Sequence, residues 1–509
     1  MGDVPPADAE PPADTDDPHA KDLPHLVNIS DTGDIILSVT FLNSPETLKR
    51  ARKAALRKPP GPSTRPDDSG LPRAVFAAKL TLPYRVNLSS LIKHSLYFRN
   101  LLSNPSFQEA QCISSSHAAL TARGVKPSEA DPLHLPWVSI TDDDEATQSA
   151  SRQEPLEDML RIMHGLSVKR ATRVAMVYVT TLAIIADRFD ATAVMARGLA
   201  DLKFKWPLTR NRPYVDEAGR TTDVEGALRQ KILLAWLLNQ PVRLHRETRE
   251  LILRGSRLWS AYAPEEEQEQ EQEQEQEQEM DSSAAWWNLP EGIEEELQHR
   301  RSCILNTISS IQRHFLSQYS SRNRQCKLGY DSSAACDSFQ LGQMLKFFLS
   351  RNLVSVADYA PSSLDNLPDI SALLDIEDLL STLKQCPSYQ VDRHHLNCGL
   401  RVRIDPIVDY VKAMLAASVV SLPLGDWKKR RGDVSWMVGE EGPEEAARRR
   451  SNGHFKSRSA ADDDDEKRVF KFTRALASDQ RLRYEGNMYA DGMARRLFTA
   501  VAWDWTPED

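Results

Sequence analysis

The sequence predicts an α+β domain, a small sheet with a helical cluster, followed by a mostly α-helical domain. Short runs rich in β-branched and apolar residues, Asp34 to Phe41, Phe76 to Val86 and Leu135 to Ile140, lie among helical repeats in the N-terminal part. Further on, apolar residues recur only at helical spacing, as at Ile232, Trp236 and Leu237, or Ile404, Ile407, Val408 and Val411. A chain of 509 residues, at roughly 150 per domain, holds two or three folded units plus linkers.

Residues 1–23 are acidic and proline-rich, lack the basic and apolar regions of a secretory signal, and are expected to be disordered. The first domain is expected over 24–205. After the Asp34 to Phe41 strand comes a basic, then Pro/Gly/Ser-rich stretch, read as a mobile insertion near 44–72. The Phe76 to Val86 strand runs into a helix capped by Asn87, with Leu88, Leu91, Ile92, Tyr97, Phe98, Leu101 and Leu102 on its apolar face. A second polar insertion is expected near 111–134. The Leu135 to Ile140 strand ends at the acidic Asp142-Asp143-Asp144-Glu145; these carboxylates read as a helix-capping turn, not a metal loop. Leu156, Met159, Leu160 and Met163 then mark a short amphipathic helix stopped at Gly165, and Thr172 to Phe189 a helix apolar around most of its girth.

The helical domain is expected over 222–425, interrupted near 264–284 by a Glu/Gln tract whose like charges at i+4 repel and keep it solvated. A charged linker over 426–468 follows, and 469–509 regains aromatic content as a docked helix or foldable tail.

A net charge of −9 argues against a chain built for nucleic acid, which attracts clustered Lys and Arg. The basic runs Lys49 to Lys58, Lys428 to Arg431 and Arg448 to Arg450 read as import signals, nucleic-acid patches or plain solvated loops. No apolar run reaches the roughly 20 residues that span a bilayer, so an intracellular protein, in nucleus or cytoplasm, is expected. The phosphate-cradling, dinucleotide, zinc-protease and nucleophile-elbow patterns are missing from the sequence, and a non-enzyme is expected.

Six cysteines in a reducing compartment predict packed thiols before disulfides. Cys326, Cys336, Cys386, His394, His395 and Cys398 fall in one stretch, and zinc takes four such ligands in a tetrahedron. Cys326, Cys336, one of His394 or His395, and Cys398 would supply a Cys3His set, with His394 taken as the histidine. No other cofactor is expected.

The ordered words GDIILSV, VNLSSLIKHSLYFRNLL, FQEA, VSITDDD, LEDMLRIMHG and LAIIADRFD resemble the BTB/POZ family. The segments from Lys231 to Ile252, Pro290 to Leu316, Cys336 onward and His394 onward are similar to the branch of filamentous fungi in which a helical region follows the BTB fold. The resemblance implies a protein-interaction scaffold or adaptor that binds other proteins. It implies a homodimer through the N-terminal strand and a face carrying Leu88, Leu91 and Ile92. It also implies cullin-3 binding through Phe107 and Glu109, hence substrate recruitment to a ubiquitin ligase. The alternative is a nuclear dimeric regulator of transcription or chromatin.

Overall fold

The computed structural model describes residues 26–56, 77–169, 174–202, 223–259, 284–354, 374–437, 469–479, 481 and 487–506. It divides into two compact units, 1–173 with 181–205, and 174–180 with 206–509. The N-terminal 1–23 segment and the Glu/Gln tract as far as residue 283 lie outside the described residues.

The first unit is a four-stranded mixed sheet with helices. Strand β2 (Ile35–Leu42) is central, antiparallel to β3 (Lys79–Val86) from Ile35 opposite Val86 to Leu42 opposite Lys79. It runs parallel to β4 (Trp137–Asp142), and the short β1 (Val27–Asn28) pairs parallel with the outer side of β3. Because β2 is covered on both faces, its side chains do not alternate; Ile35, Ile36, Leu37 and Val39 are all fully buried. Edge strand β4 does alternate, hiding Val138, Ile140 and Asp142.

Part of the segment expected to be a mobile insertion is helix α1 (Pro45–Leu56). Ser44 donates to Asp144 Oδ2 through both its backbone N and Oγ at 2.9 Å, and Leu48 is buried. Lys, Arg and Ala favour helix, which the solvated-loop reading of the basic run overlooked. Helices α2 (Leu88–His94) and α3 (Leu96–Ser103) split the predicted single helix at Ser95, whose hydroxyl caps α3 by accepting from Phe98 N at 2.9 Å. Most of the second expected insertion is also ordered: α4 (Gln108–Ala122) buries Ala110, Ile113 and Leu120, and two 3-10 turns follow. Its Ser-rich, Ala-rich composition dilutes the apolar stripe, so periodicity alone did not expose it. Helices α5 (Gln153–Met163), α6 (Met176–Arg188) and α7 (Thr192–Asp201) complete this part of the chain.

The polar ends of these elements tie the unit together. Leu88 N donates to Asp34 Oδ1 at 2.7 Å, Ser95 Oγ to the Phe189 carbonyl at 2.6 Å, and Phe98 stacks on Phe189 at 5.3 Å. Asp142, wholly buried, accepts from Arg152 Nε at 2.6 Å and pairs with Arg188.

The second unit is mostly helical. Helices α8 (Val224–Leu237) and α9 (Pro241–Arg254) pack as a hairpin, and the 28-residue α10 (Ile293–Ser320) runs past both α9 and α11 (Ser333–Ser350). Helices α12 (Ile376–Lys384), α13 (Leu400–Leu415) and α14 (Leu424–Val434) follow. Strands β5 (Val469–Lys471) and β6 (Ala502–Asp504) form a parallel ribbon around α15 (Arg474–Ala477) and α16 (Asn487–Phe498).

The predicted charged linker begins instead as α14, which buries Leu424 and Trp427. Lys428 lies 4.4 Å over the Trp236 ring and Arg431 4.9 Å over Trp427, so the basic run packs on aromatic faces. Residues 438–468, with the second basic cluster, are outside the described set. Buried arginines hold this unit: Arg229 is wholly buried and paired with Glu294 at 2.8 Å, and Arg301 donates to the Ile252 carbonyl at 2.7 Å. Among the described residues, no helix is long and apolar enough to cross a membrane.

Candidate metal centre

Three backbone segments bring four ligand side chains together at one end of α10. Cys326 lies in the loop after α10, Cys336 in the first turn of α11, and His395 and Cys398 in the turns before α13. His395 N donates to the Asp392 carbonyl at 3.2 Å and Cys398 N to the His395 carbonyl at 3.4 Å, so two consecutive turns aim both side chains inward. The Asp337 carboxylate, beside Cys336, accepts from Gln325 N at 2.8 Å and Cys326 N at 2.9 Å, which fixes the first loop against α11.

Cys326 Sγ is 3.4 Å from His395 Nδ1 and 3.8 Å from Cys398 Sγ, and Cys398 Sγ is 3.5 Å from His395 Nδ1. All four donor atoms, Cys336 Sγ included, lie within 4.8 Å of one another. Zinc bound at about 2.3 Å to sulfur and about 2.0–2.1 Å to nitrogen has tetrahedral edges of about 3.8 Å between sulfurs and about 3.6 Å between sulfur and nitrogen. The three edges match these lengths. The far nitrogen of His395, Nε2, lies 3.0 Å from Ser332 Oγ, a partner that fixes the ring with Nδ1 turned to the cluster.

Cys336 and His395 are fully buried and Cys326 nearly so, while Cys398 is half-buried. Burial and the neighbouring Cys398 and Cys326 push the Cys336 thiol up to about 12. Burial raises Cys398 as well; Cys326 is lowered, hydrogen bonds led by Ser333 outweighing its burial. Three mutually facing thiols resist joint ionisation unless a cation compensates, and a bound metal supplies that compensation. The residues are compatible with a structural zinc ion: four protein ligands close the tetrahedron and leave no open position.

The histidine of the set is therefore His395, not the predicted His394. His394 is exposed, and its Nε2 accepts from Arg393 Nε at 3.2 Å. Cys386 is buried and does not join the cluster; its thiol lies 3.9 Å from the Pro387 carbonyl. The supporting groups Ser332, Asp337 and Tyr319, whose hydroxyl donates to the Cys398 carbonyl at 3.3 Å, were not singled out from sequence. No spacing rule marks them, since Tyr319 and Cys398 are 79 positions apart.

In the other unit, Phe107 is exposed at the N-cap of α4 and Glu109 is half-buried in its first turn. Of the expected dimer face, Leu88 and Ile92 are half-buried. Leu91 is fully buried. Comparison of the chain with family models, curated proteins and solved structures finds no match.

Proposed function

We propose that the chain is a non-catalytic interaction scaffold in which a BTB-type unit precedes a helical unit fastened by a structural zinc ion. The zinc assignment is carried by the tetrahedral edge lengths among Cys326, His395 and Cys398, with Cys336 completing the set. Zinc here joins the loop after α10 to the turns before α13, a fastening role with no reacting water.

The BTB reading is supported by the behaviour of the words that carry the resemblance. Asp34, Ser95, Phe98, Asp142, Arg188 and Phe189 are the residues that bond and stack one element to another in the first unit. The exposed Phe107 is the side chain offered to a partner such as cullin-3, an apolar anchor of the kind that dominates interfaces.

Two experiments test the two halves. Metal analysis of the purified chain after exhaustive dialysis is expected to give one zinc per chain; substoichiometric zinc overturns that half. Pull-down with cullin-3 is expected to succeed with wild type and fail with Phe107→Ala, and a wild type that does not bind overturns the ligase reading.

A further inference from the structure

A cavity of about 410 Å³ opens directly beside the cysteine–histidine cluster, with Cys398 in its wall. Its floor is apolar: Phe315 and Trp505 are almost fully buried beneath it. Leu328 and Leu396 also line it, 45% and 56% exposed, large apolar side chains left open to solvent. Lys327 and Arg403 supply cationic groups, and among the described residues no carboxylate lines the cavity, although Asp and Glu number 73 against 64 Lys and Arg in the whole chain. Arg403 is held in place by donating to the Gln325 carbonyl at 3.0 Å and by lying 5.5 Å over the Tyr319 ring. Gln318 also lines the cavity.

We propose that this cavity is a docking site for an acidic peptide segment of a partner protein, one that places a bulky apolar side chain next to a carboxylate. The apolar side chain fills the space between Leu328 and Leu396 above Trp505. The carboxylate meets Lys327 and Arg403. A volume at the small end of the roughly 300–1,000 Å³ range of ligand sites takes one or two side chains, not a folded domain. Nucleic acid would need a longer band of cations than two side chains provide.

The proposal rests on the zinc reading, because the walls belong to the ligand loops. Leu328 follows Cys326 by two positions, and Leu396 lies between His395 and Cys398. An ion that locks these loops pre-forms the cavity and spares a ligand the ordering cost.

The test is fluorescence anisotropy with the full chain and a fluorescein-labelled acetyl-Glu-Leu-Glu-Phe-Glu-amide peptide, with zinc content measured on the same preparation. Saturable binding is expected, weakened at least tenfold when the peptide's Glu residues become Gln. The same loss is expected in the double variant Lys327→Glu, Leu396→Ser, with zinc content and circular dichroism unchanged. A zinc-loaded wild type that does not bind the peptide overturns the docking site and leaves the metal standing. A zinc-free wild type that binds with the same pattern upholds the docking site and overturns the metal. Binding that ignores the double variant, or that a thymidine oligonucleotide displaces better than unlabelled peptide, overturns the proposal.

Discussion

Asp142 and Arg152 form an ion pair with both side chains 1% exposed, Arg152 Nε donating to Asp142 Oδ2 at 2.6 Å. The same guanidinium reaches Asn43 Oδ1 at 2.9 Å and the Leu42 carbonyl at 2.7 Å, so one side chain closes the ends of β2 and β4. Removing Arg152 takes from Asp142 its buried partner and leaves it only the half-buried Arg188, at a cost of up to about 3–5 kcal/mol. Arg152→Met is expected to lose that much, read by urea-dependent hydrogen exchange of peptides from β2 and β4. Arg188, 28% exposed, shares Asp142, and Arg188→Gln is expected to cost less.

Arg300 makes the matching test in the helical unit. It donates to Glu296 Oε1 at 2.7 Å, to the Ser421 carbonyl at 2.7 Å and to the Val434 carbonyl at 2.9 Å, with Trp436 under its face at 5.0 Å. Arg300→Met is expected to destabilise by about 3–5 kcal/mol in chemical denaturation. Lys126→Ala, which removes a pair 76% and 66% exposed, should stay within about 1 kcal/mol. Equal effects of the two changes would refute the hierarchy.

Metal removal should be felt locally. With a strong chelator, hydrogen exchange is expected to rise in the 321–332 and 387–399 loops before it rises in α8 and α9. The Cys336→Ser variant is expected to reproduce this without chelator, because a hydroxyl is a poor zinc ligand.

Thiol alkylation should follow exposure and acidity. Cys112 is exposed and is expected to react first at neutral pH. Burial pushes Cys303 up to about 11 and Cys386 up to about 12, so their reactive thiolates appear only as pH rises towards those values. Mass spectrometry of iodoacetamide adducts over time checks the order; early labelling of Cys386 at pH 7 would contradict its burial.

His164 gives the first unit an acid sensitivity. Its Nε2 accepts from Asn87 N at 2.9 Å while Nδ1 lies 2.7 Å from the Leu160 carbonyl, and burial lowers its pKa despite that carbonyl and Asp34. The folded state therefore prefers the neutral ring. Its contribution is complete above the unfolded value of about 6.5 and declines as pH falls below it, because the unfolded chain takes up a proton that the folded chain refuses. Denaturation midpoints are expected to drop between pH 7 and pH 5 by less in His164→Gln than in wild type.

Much of the first unit was legible because its strands and amphipathic helices obey simple periods, as Leu156, Met159, Leu160 and Met163 do on α5. Helices α1 and α4 were not, since Lys, Arg, Ser and Ala signal helix by propensity and only weakly by pattern. The metal ligands were legible as residue types. The choice between His394 and His395 was not, because it depends on which side of one turn faces inward, and adjacent residues differ there completely in burial. The buried arginines were invisible for a related reason: a guanidinium reads as surface until its carboxylate, distant in sequence, is found beside it.

The parallel ribbon of β5 and β6 makes the last stretch of the chain part of the interior. Trp505 is wholly buried, donates from its indole N–H to Ser310 Oγ at 2.8 Å, and touches the rings of Phe470 and Phe472. A stop codon just before Ala502 would strip the aromatic lid from α10. Such a truncation should behave as a core lesion.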